Sequence, residues 1–600
     1  MVTAKQTMLM KKILLFASAA LLFAGCAKEI ITPTENPDNT QKGDITLSFS
    51  ASQTGFGTKA IIGETTTDTE GAKSTAINWQ STDKISVFDG AGANCEFSTK
   101  DFNAETTTSC TFEGTVTAVA TDYTAVYPYT ASATISETGV ISGVTLPAIQ
   151  TAVAGSFDSS AALMVAKTVE GGRALAFKNL VGYVKVITDF DCKQIELCAA
   201  SGEKLAGEGT ISFNEVTPSF ALGDGAESTI TLLPEVKGAT IAAGTYYIAV
   251  PATTLAAGWS IRLTDTDDIV STKKGSKDIT FKQSTILNLG TISMIEPRYL
   301  TFSAESEQTF TMNFQPNPNY DAFTLGEGEY FEYRVGNGGW EKITETKSGV
   351  TFGGVGNDLQ LRGISSNGTA DSNEWGWTTI SFENATYVRC SGDIRTLVNY
   401  KDYENANTYN ARFCNLFNNC LQLTSAPDLP ATELASYCYS SMFQNCISLQ
   451  TAPKELLPAT ILADGCYESM FAFCSSLTSA PELPAEALAE GCYSGMFFNC
   501  TSLKTVELPA TTLAEDCYWQ MFNCCSALQT VYIKAKPSSP DDIGCFIDWL
   551  DGAGNSLPII YCYEAFYNFV KGASEFGLTL CPDYWSFYDI DNTESQWGQY

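Results

Sequence analysis

Short segments of alternating hydrophobic and polar residues run through the first half of the chain. Residues 45–51, 84–88 and 182–187 alternate most clearly, and Gly, Asp, Asn, Ser and Thr separate the runs. Alternation places every second side chain on one face of a strand, and frequent short strands are typical of β-sandwiches. We therefore predict two all-β sandwich domains, at residues 45–168 and 169–295.

A third β-rich region spans residues 299–383. Segments 299–304, 330–335 and 359–363 have the strand pattern, and glycine-rich residues 336–339 supply a turn. The length fits one small sandwich, so we predict an Ig-like domain.

Three tryptophans of this region, Trp340, Trp375 and Trp377, admit two interpretations. They form a carbohydrate-binding surface, or they pack in the core or against a turn. Packing is the favoured interpretation, because aromatic side chains mostly serve packing.

A different pattern recurs four times after residue 430. Leu, Cys, Met and Cys stand four residues apart, and an Ala-Tyr-Phe row follows one residue later. The sets are Leu434, Cys438, Met442 and Cys446; Leu462, Cys466, Met470 and Cys474; Leu488, Cys492, Met496 and Cys500; and Leu513, Cys517, Met521 and Cys525. Two adjacent apolar rows at this spacing predict a helix with one broad buried face.

The segment after each second cysteine is a strand candidate. Pro427, Pro453 and Pro481 should shorten the early strands, because proline cannot donate to a ladder, whereas Val506 and Val531 should permit longer ones.

One strand and one helix per unit, with units 28, 26 and 25 residues apart, predict an α/β leucine-rich-repeat solenoid at residues 384–544. Residues 545–600 should cap its open end. The outward-facing strand residues form a candidate binding face: Thr424, Gln450, Thr478, Lys504 and Gln529.

The paired cysteines of the repeats are predicted to be buried thiols. Helical spacing would hold them too far apart for disulfides, and no Cys-x-x-Cys motif or histidine supports a zinc site. Cysteines outside the rhythm stay open to pairing: Cys390, Cys545, Cys562 and Cys581.

The N-terminus has the pattern of a secretion signal. Lys11 and Lys12 precede an apolar stretch too short to span a bilayer, and Gly25-Cys26 ends it. The end of the stretch resembles the lipobox of bacterial lipoproteins, which implies a signal peptide at residues 1–25 and acylation of Cys26. Residues 26–44 are polar and predict a flexible tether.

The charge balance narrows the function. The 600 residues include 35 Lys and Arg, 67 Asp and Glu and no histidine, for a net charge of -32. A polyanion repels phosphate backbones, and the absence of histidine removes histidine triads and histidine metal sites. We expect no nucleic-acid partner, no metal, no cofactor and no catalytic residue.

A series of motifs resembles the fimbrillin family of Bacteroidota. The motifs occupy residues 78–79, 83–88, 127–129, 146–150, 163–166, 176–182, 246–251 and 287–290. The resemblance implies two β-sandwich subdomains in a surface lipoprotein. In the pilus-forming members a protease removes an N-terminal strand and a neighbouring subunit's strand replaces it. Lys59 lies where such a cut would fall, and the favoured alternative is an uncleaved surface domain.

The repeats resemble BspA-like leucine-rich repeats, a family associated with adhesion. Together the patterns predict an outer-membrane, surface-exposed lipoprotein that binds a host or bacterial surface protein or glycan. The alternative is a tip or accessory subunit of a fimbrillin-type pilus, with fimbrillin subunits as partners. A glycan-binding or glycan-processing surface protein is the third hypothesis.

Overall fold

The computed structural model describes residues 44–53, 61–67, 73–100, 102, 109–214, 217–371, 376–537, 539–554, 558–575, 579–592 and 596–599. The predicted signal peptide, Cys26, Lys59 and Trp375 lie outside these residues.

The first region forms a barrel. Its strands are β1 (Ile45–Gln53), β2 (Ile61–Thr67), β3 (Lys73–Asn78), β4 (Lys84–Phe88), β5 (Asn94–Lys100), β6 (Cys110–Val116), β7 (Thr124–Tyr127), β8 (Thr134–Ile135), β9 (Ile141–Leu146), β10 (Ile149–Thr151), β11 (Met164–Lys167) and β12 (Ala174–Asn179). The hydrogen-bonded order β1-β12-β11-β7-β4-β5-β6 closes on itself, where we predicted an open sandwich. Phe49, Trp79, Phe97 and Phe112 fill its core.

Strands of the second region pair with strands of the first in common sheets. It contains β13 (Val181–Thr188), β14 (Cys192–Cys198), β15 (Gly207–Asn214), β16 (Thr217–Leu222), β17 (Thr229–Leu233), β18 (Gly244–Pro251), β19 (Thr254–Leu255), β20 (Ser260–Asp265), β21 (Val270–Lys274), β22 (Ile279–Thr280) and β23 (Ile286–Ile292). Sheets β10-β17-β14-β20-β21 and β18-β13-β23 enclose a second core. Because β9 pairs with β15 and β10 with β17, a single cut at the predicted boundary of residue 168 does not separate the two regions.

The third region is a two-sheet sandwich. Its strands are β24 (Leu300–Ala304), β25 (Gln308–Asn313), β26 (Tyr330–Val335), β27 (Glu341–Ile343), β28 (Lys347–Phe352), β29 (Leu359–Ile364), β30 (Thr379–Phe382) and β31 (Val388–Ser391). Beyond it lie α1 (Thr396–Asn399), β32 (Leu423–Ser425), β33 (Thr505–Leu508), β34 (Thr530–Ile533), β35 (Ile559–Cys562), α2 (Glu564–Glu575), β36 (Ser586–Asp589) and β37 (Gln596–Gln599). Short 3-10 helices occupy Ser159–Ala161, Tyr400–Asn405, Lys454–Leu456 and Pro540–Phe546.

The helices predicted for the repeats are wrong: the described residues between α1 and α2 contain no α-helix. Each stretch from the residue before the first cysteine to the second cysteine of a unit is instead a chain of tight turns, here called the turn coil, and residues 413–420 form a shorter coil before the first unit. Every fourth residue of the coils adopts a left-handed backbone: Asn415 and Asn419; Tyr437, Ser441 and Asn445; Gly465, Ser469 and Phe473; Gly491, Gly495 and Asn499; and Asp516, Gln520 and Cys524. A left-handed residue at the third position permits a type II turn and interrupts an α-helix.

Backbone hydrogen bonds explain why the coil forms. Alternate N–H groups close turns within a unit, as Met442 does to the Tyr439 carbonyl at 3.2 Å. The intervening N–H groups donate to the following unit, as Phe443 does to the Met470 carbonyl at 2.9 Å. These backbone donors are satisfied without the i−4 partner of a helix.

Stacked aromatic rings run through the units. Phe443, Phe471 and Phe497 lie nearly parallel, with ring centroids 5.5 and 5.8 Å apart. Tyr439, Tyr467 and Tyr493 form a second stack at 5.9 Å. The cysteine, methionine, tyrosine and phenylalanine positions of the predicted apolar rows are therefore buried, although on a coil rather than on helices, whereas Leu462, Leu488 and Leu513 are half-buried.

The sandwich and the repeats share one hydrophobic core, which runs from Leu300 to Phe587 across the predicted boundary at residue 384. The first repeat strand, β32, pairs with β31 of the sandwich, and Phe302 contacts Phe417 with centroids 6.1 Å apart. The sandwich thus closes one end of the stack.

The C-terminal residues, predicted as a cap, first continue the stack. Phe522 donates its N–H to the Trp549 carbonyl at 2.8 Å, and β35 extends the parallel sheet that begins with β33 and β34. The longer strands expected around Val506 and Val531 are present as β33 and β34. Helix α2 and the pair β36–β37 then cover the end.

Candidate functional site

The predicted binding residues lie along the edge where the turn coils end. Thr478 donates its backbone N–H to the Gln450 carbonyl at 3.0 Å, and Gln529 does so to Lys504 at 2.8 Å. These four side chains are exposed, whereas Thr424 is half-buried and its hydroxyl donates to the Val388 carbonyl at 3.0 Å. Gln450, Thr478, Lys504 and Gln529 are called the polar row below.

A groove of about 380 Å³ lies beside the polar row, called the proline cleft and lined by Lys454, 479–484, 505–507 and Pro509. Lys454 and Glu482 approach to 3.7 Å across it. Strand β33 is an edge strand that pairs with β34 on one side, and Pro481 on the other side lacks an N–H to pair with it. The cleft therefore offers apolar rings and charged groups to an extended partner.

Trp340 is engaged by protein groups. Its ring contacts Tyr299 at a centroid distance of 5.0 Å, and the Arg334 and Arg362 guanidinium groups lie 4.6 and 4.0 Å from it. Trp377 packs on Tyr320 at 5.2 Å. These contacts support the packing interpretation for both residues.

The thiols of the four Leu-Cys-Met-Cys sets are buried, and Cys390, Cys545, Cys562 and Cys581, which the sequence left open to pairing, are free cysteines. The second cysteine of each unit donates its thiol to the phenylalanine carbonyl of the preceding unit, as Cys500 does to Phe471 at 3.0 Å and Cys525 to Phe497 at 2.9 Å. The prediction of buried thiols is confirmed, although the helical spacing from which we argued it was wrong. Burial raises the pKa of Cys525 to about 12 and so keeps its thiol protonated.

The first strand of the barrel has an unusual position. β1 lies between β12, with which it runs parallel, and β6, with which it runs antiparallel. Phe49 on β1 is fully buried and contacts Phe97 and Tyr123 at 5.4 and 5.1 Å. Loss of this strand would open a hydrophobic groove between two strand edges.

A second cleft escaped the sequence analysis. It has a volume of about 520 Å³ and is lined by Arg395, residues 404–409 and residues 430–433. We call it the joint cleft, because Asn405 on its rim donates a side-chain hydrogen bond to Thr272 of the second region at 3.4 Å. The signal available in the sequence was an amide-rich run around Tyr409, whose side chain is 61% exposed.

Charged groups also hold the second region to the segment beside this cleft. Arg262 pairs with Asp402, and Asp268 receives Lys193 at 2.5 Å and Lys401 at 2.9 Å. The contact between the second region and residues 401–405 is therefore polar and charged, whereas the sandwich and the repeats share a hydrophobic core.

The described part of the chain also bears on metal binding and on membrane insertion. Those residues hold no group of three or more acidic or cysteine side chains arranged for a metal ion. Nor does any helix within them have the length and hydropathy needed to span a bilayer.

No family model and no curated protein matches the sequence. Among solved structures, a Bacteroides uniformis protein provisionally described as a cell adhesion protein is 16% identical, with a TM-score of 0.26 over 41% of this chain and 94% of that one. The tip fimbrial protein Mfa3 of Porphyromonas gingivalis is 11% identical, with a TM-score of 0.18 over 41% and 94%. A Bacteroides ovatus fimbrial protein is 14% identical, with a TM-score of 0.20 over 43% and 52%. At TM-scores this low, the likenesses do not establish the fold or the function of this chain.

Proposed function

We propose that this protein is a non-catalytic surface adhesin whose β-rich N-terminal half is a stalk and whose repeat stack is the recognition surface. The observation that carries the proposal is the polar row, four exposed side chains presented by adjacent stacked units. The row stands on a core that continues into the sandwich, so its geometry is held rigidly. Rigid extended faces suit protein or glycan partners rather than small substrates.

The proposal includes attachment to the outer membrane through acylated Cys26. Several acyl chains, each worth about 0.8 kcal/mol per buried CH₂, would make the anchoring effectively permanent. The polar sequence of residues 26–44 would then separate the barrel from the membrane. Partners would be proteins or glycans of host or bacterial surfaces.

The test is binding of the full chain to an array of matrix proteins and glycans. A Thr478→Arg, Lys504→Glu double variant should weaken binding by about tenfold or more, since reversing one contact charge costs over 1 kcal/mol. The matched control, Asp464→Ser with Glu490→Ser, changes exposed residues that precede the turn coils and should bind normally. Absence of any partner on the array, or equal binding by both variants, would sink the adhesin proposal.

A second candidate is an accessory or tip subunit of a fimbrillin-type pilus. The position of β1 favours it, because a cut at Lys59 would free the strand and expose the edges of β6 and β12 to another subunit's strand. Surface extracts treated with a lysine-specific protease should then show detergent-stable ladders, and Lys59→Gln should abolish them. Monomer alone after complete cleavage would count against this candidate.

A further inference from the structure

The joint cleft has two walls from different elements. One wall is residues 404–409, which comprise the end of the 3-10 helix Tyr400–Asn405 and the residues after it. The other wall is residues 430–433 at the start of the next repeat unit. Thr408 links the walls through its hydroxyl, which donates to the Glu433 carbonyl at 3.3 Å. The volume of the joint cleft, about 520 Å³, lies within the usual range of ligand sites, roughly 300–1,000 Å³.

The lining combines amides, hydroxyls and one aromatic ring. Asn405 and Asn407 are exposed. Asn405 Nδ2 already donates to Thr272 and Asp402, and Asn407 Oδ1 accepts the Tyr409 N–H, so the Asn405 oxygen is left as an acceptor and the Asn407 Nδ2 as a donor. Thr408 and Thr432 add hydroxyl oxygens. Tyr409 presents an aromatic face, and Ala431 is a small buried residue at the base. Planar amides beside an accessible ring suit a ligand with many hydroxyl groups and apolar C–H faces.

The charges in the cleft discriminate against anions. The Arg395 guanidinium is already engaged, with both Asp393 carboxylate oxygens at 3.0 and 2.8 Å and with the Glu404 carbonyl at 3.0 Å. The carboxylates of Glu404 and Glu433 therefore set the local potential, and the chain as a whole carries a net charge of -32. A sialylated or sulfated sugar would be repelled.

We infer that the joint cleft binds uncharged oligosaccharides, including N-acetylated ones, with Tyr409 as the stacking platform. This inference deepens the proposed adhesin function and rests on it. The bidentate Arg395–Asp393 contact and the Thr408–Glu433 hydrogen bond hold the walls in place before a ligand arrives, which lowers the ordering cost of binding.

The experiment uses the full chain and calorimetry with maltotriose, N,N′-diacetylchitobiose and sialyllactose. We expect at least one uncharged probe to bind and sialyllactose to bind more weakly or not at all. Tyr409→Ala should weaken binding by about tenfold, and Tyr409→Phe should retain it because the ring remains. The matched control is Tyr387→Ala, which removes another tyrosine, 67% exposed and outside the cleft.

Three results would overturn the inference: no binding of either uncharged probe, stronger binding of sialyllactose, or equal losses in the Tyr409 and Tyr387 variants. The polar-row double variant separates this inference from the adhesin proposal. If that variant loses its array partner while sugar binding persists, both proposals stand as separate surfaces. If sugar binding fails while array binding depends on the polar row, the cleft inference alone falls.

Discussion

Gly465→Ala is expected to destabilise the repeat stack by about 2–5 kcal/mol, and Gly491→Ala by only about 1–2 kcal/mol. The two glycines occupy the same corner of successive units, with φ of +57° and +56°. A Cβ at Gly465 would lie 2.2 Å from the Tyr437 ring, whereas a Cβ at Gly491 would meet nothing within 4 Å. Both variants bear the left-handed strain, but only Gly465→Ala also displaces a packed ring.

Hydrogen exchange of repeat peptides, read by mass spectrometry, measures the local opening free energy in both variants. The sign of the change in opening free energy in the Gly491→Ala variant distinguishes a turn coil from a helix. In a helix, Gly→Ala would stabilise by roughly 0.5–1 kcal/mol, because alanine loses less backbone entropy. A stabilised Gly491→Ala variant would therefore contradict the turn coil.

Raising the pH above about 8.5 should destabilise the repeat stack steeply, before tyrosines ionise near pH 10. Burial raises the pKa of the Cys474, Cys492 and Cys525 thiols to about 12. Because the folded pKa exceeds the unfolded one, full stability is present below about pH 8.5 and is lost as the pH rises toward about 12. Each such thiol should contribute a slope of about 1.4 kcal/mol per pH unit.

Urea unfolding at about pH 7.5 and pH 9.5, with a phosphine reductant, measures this slope. Cys525→Ala should reduce the slope of unfolding free energy against pH by the contribution of one thiol, whatever its effect on stability at neutral pH. Its neighbour Cys524 is exposed, so Cys524→Ala is the matched control, which removes a thiol without opening a cavity in the core. Equal stability at both pH values would show that the repeat thiols are not buried as described.

The spacing of the repeats contained evidence against a helix. A residue every four positions advances about 40° beyond each full helical turn, so a row from Leu434 to Cys446 would spiral around a helix. A strict period of four instead fits a coil with one corner every fourth residue. Asn, Gly, Ser and Asp, the residues that tolerate left-handed backbone, occupy most of these corners, including Asn445, Gly465 and Asp516.

The joint cleft and the shared core had no comparable local signal. Tyr409 and Glu433 belong to different segments, and only the fold brings their surroundings together. Likewise β9 and β10 look like ordinary strands of the first region, although their partners β15 and β17 come more than 50 residues later. Strand pairing depends on long-range contacts that alternation alone does not specify.

The sequence by itself determined which repeat side chains face the core, that the first three regions are β-rich and that strands form around Val506 and Val531. The strand predicted for every repeat unit was wrong, because the segments after Cys446 and Cys474, which lead to Pro453 and Pro481, form none. These properties follow from the local period of apolar residues and from the missing proline N–H. The tertiary structure decided the conformation between the cysteines, because half of the backbone donors there find their acceptors in the next unit rather than four residues back. It also decided that the sandwich and the repeats form one body, because the exposed end of a stack must bury its last apolar face against something.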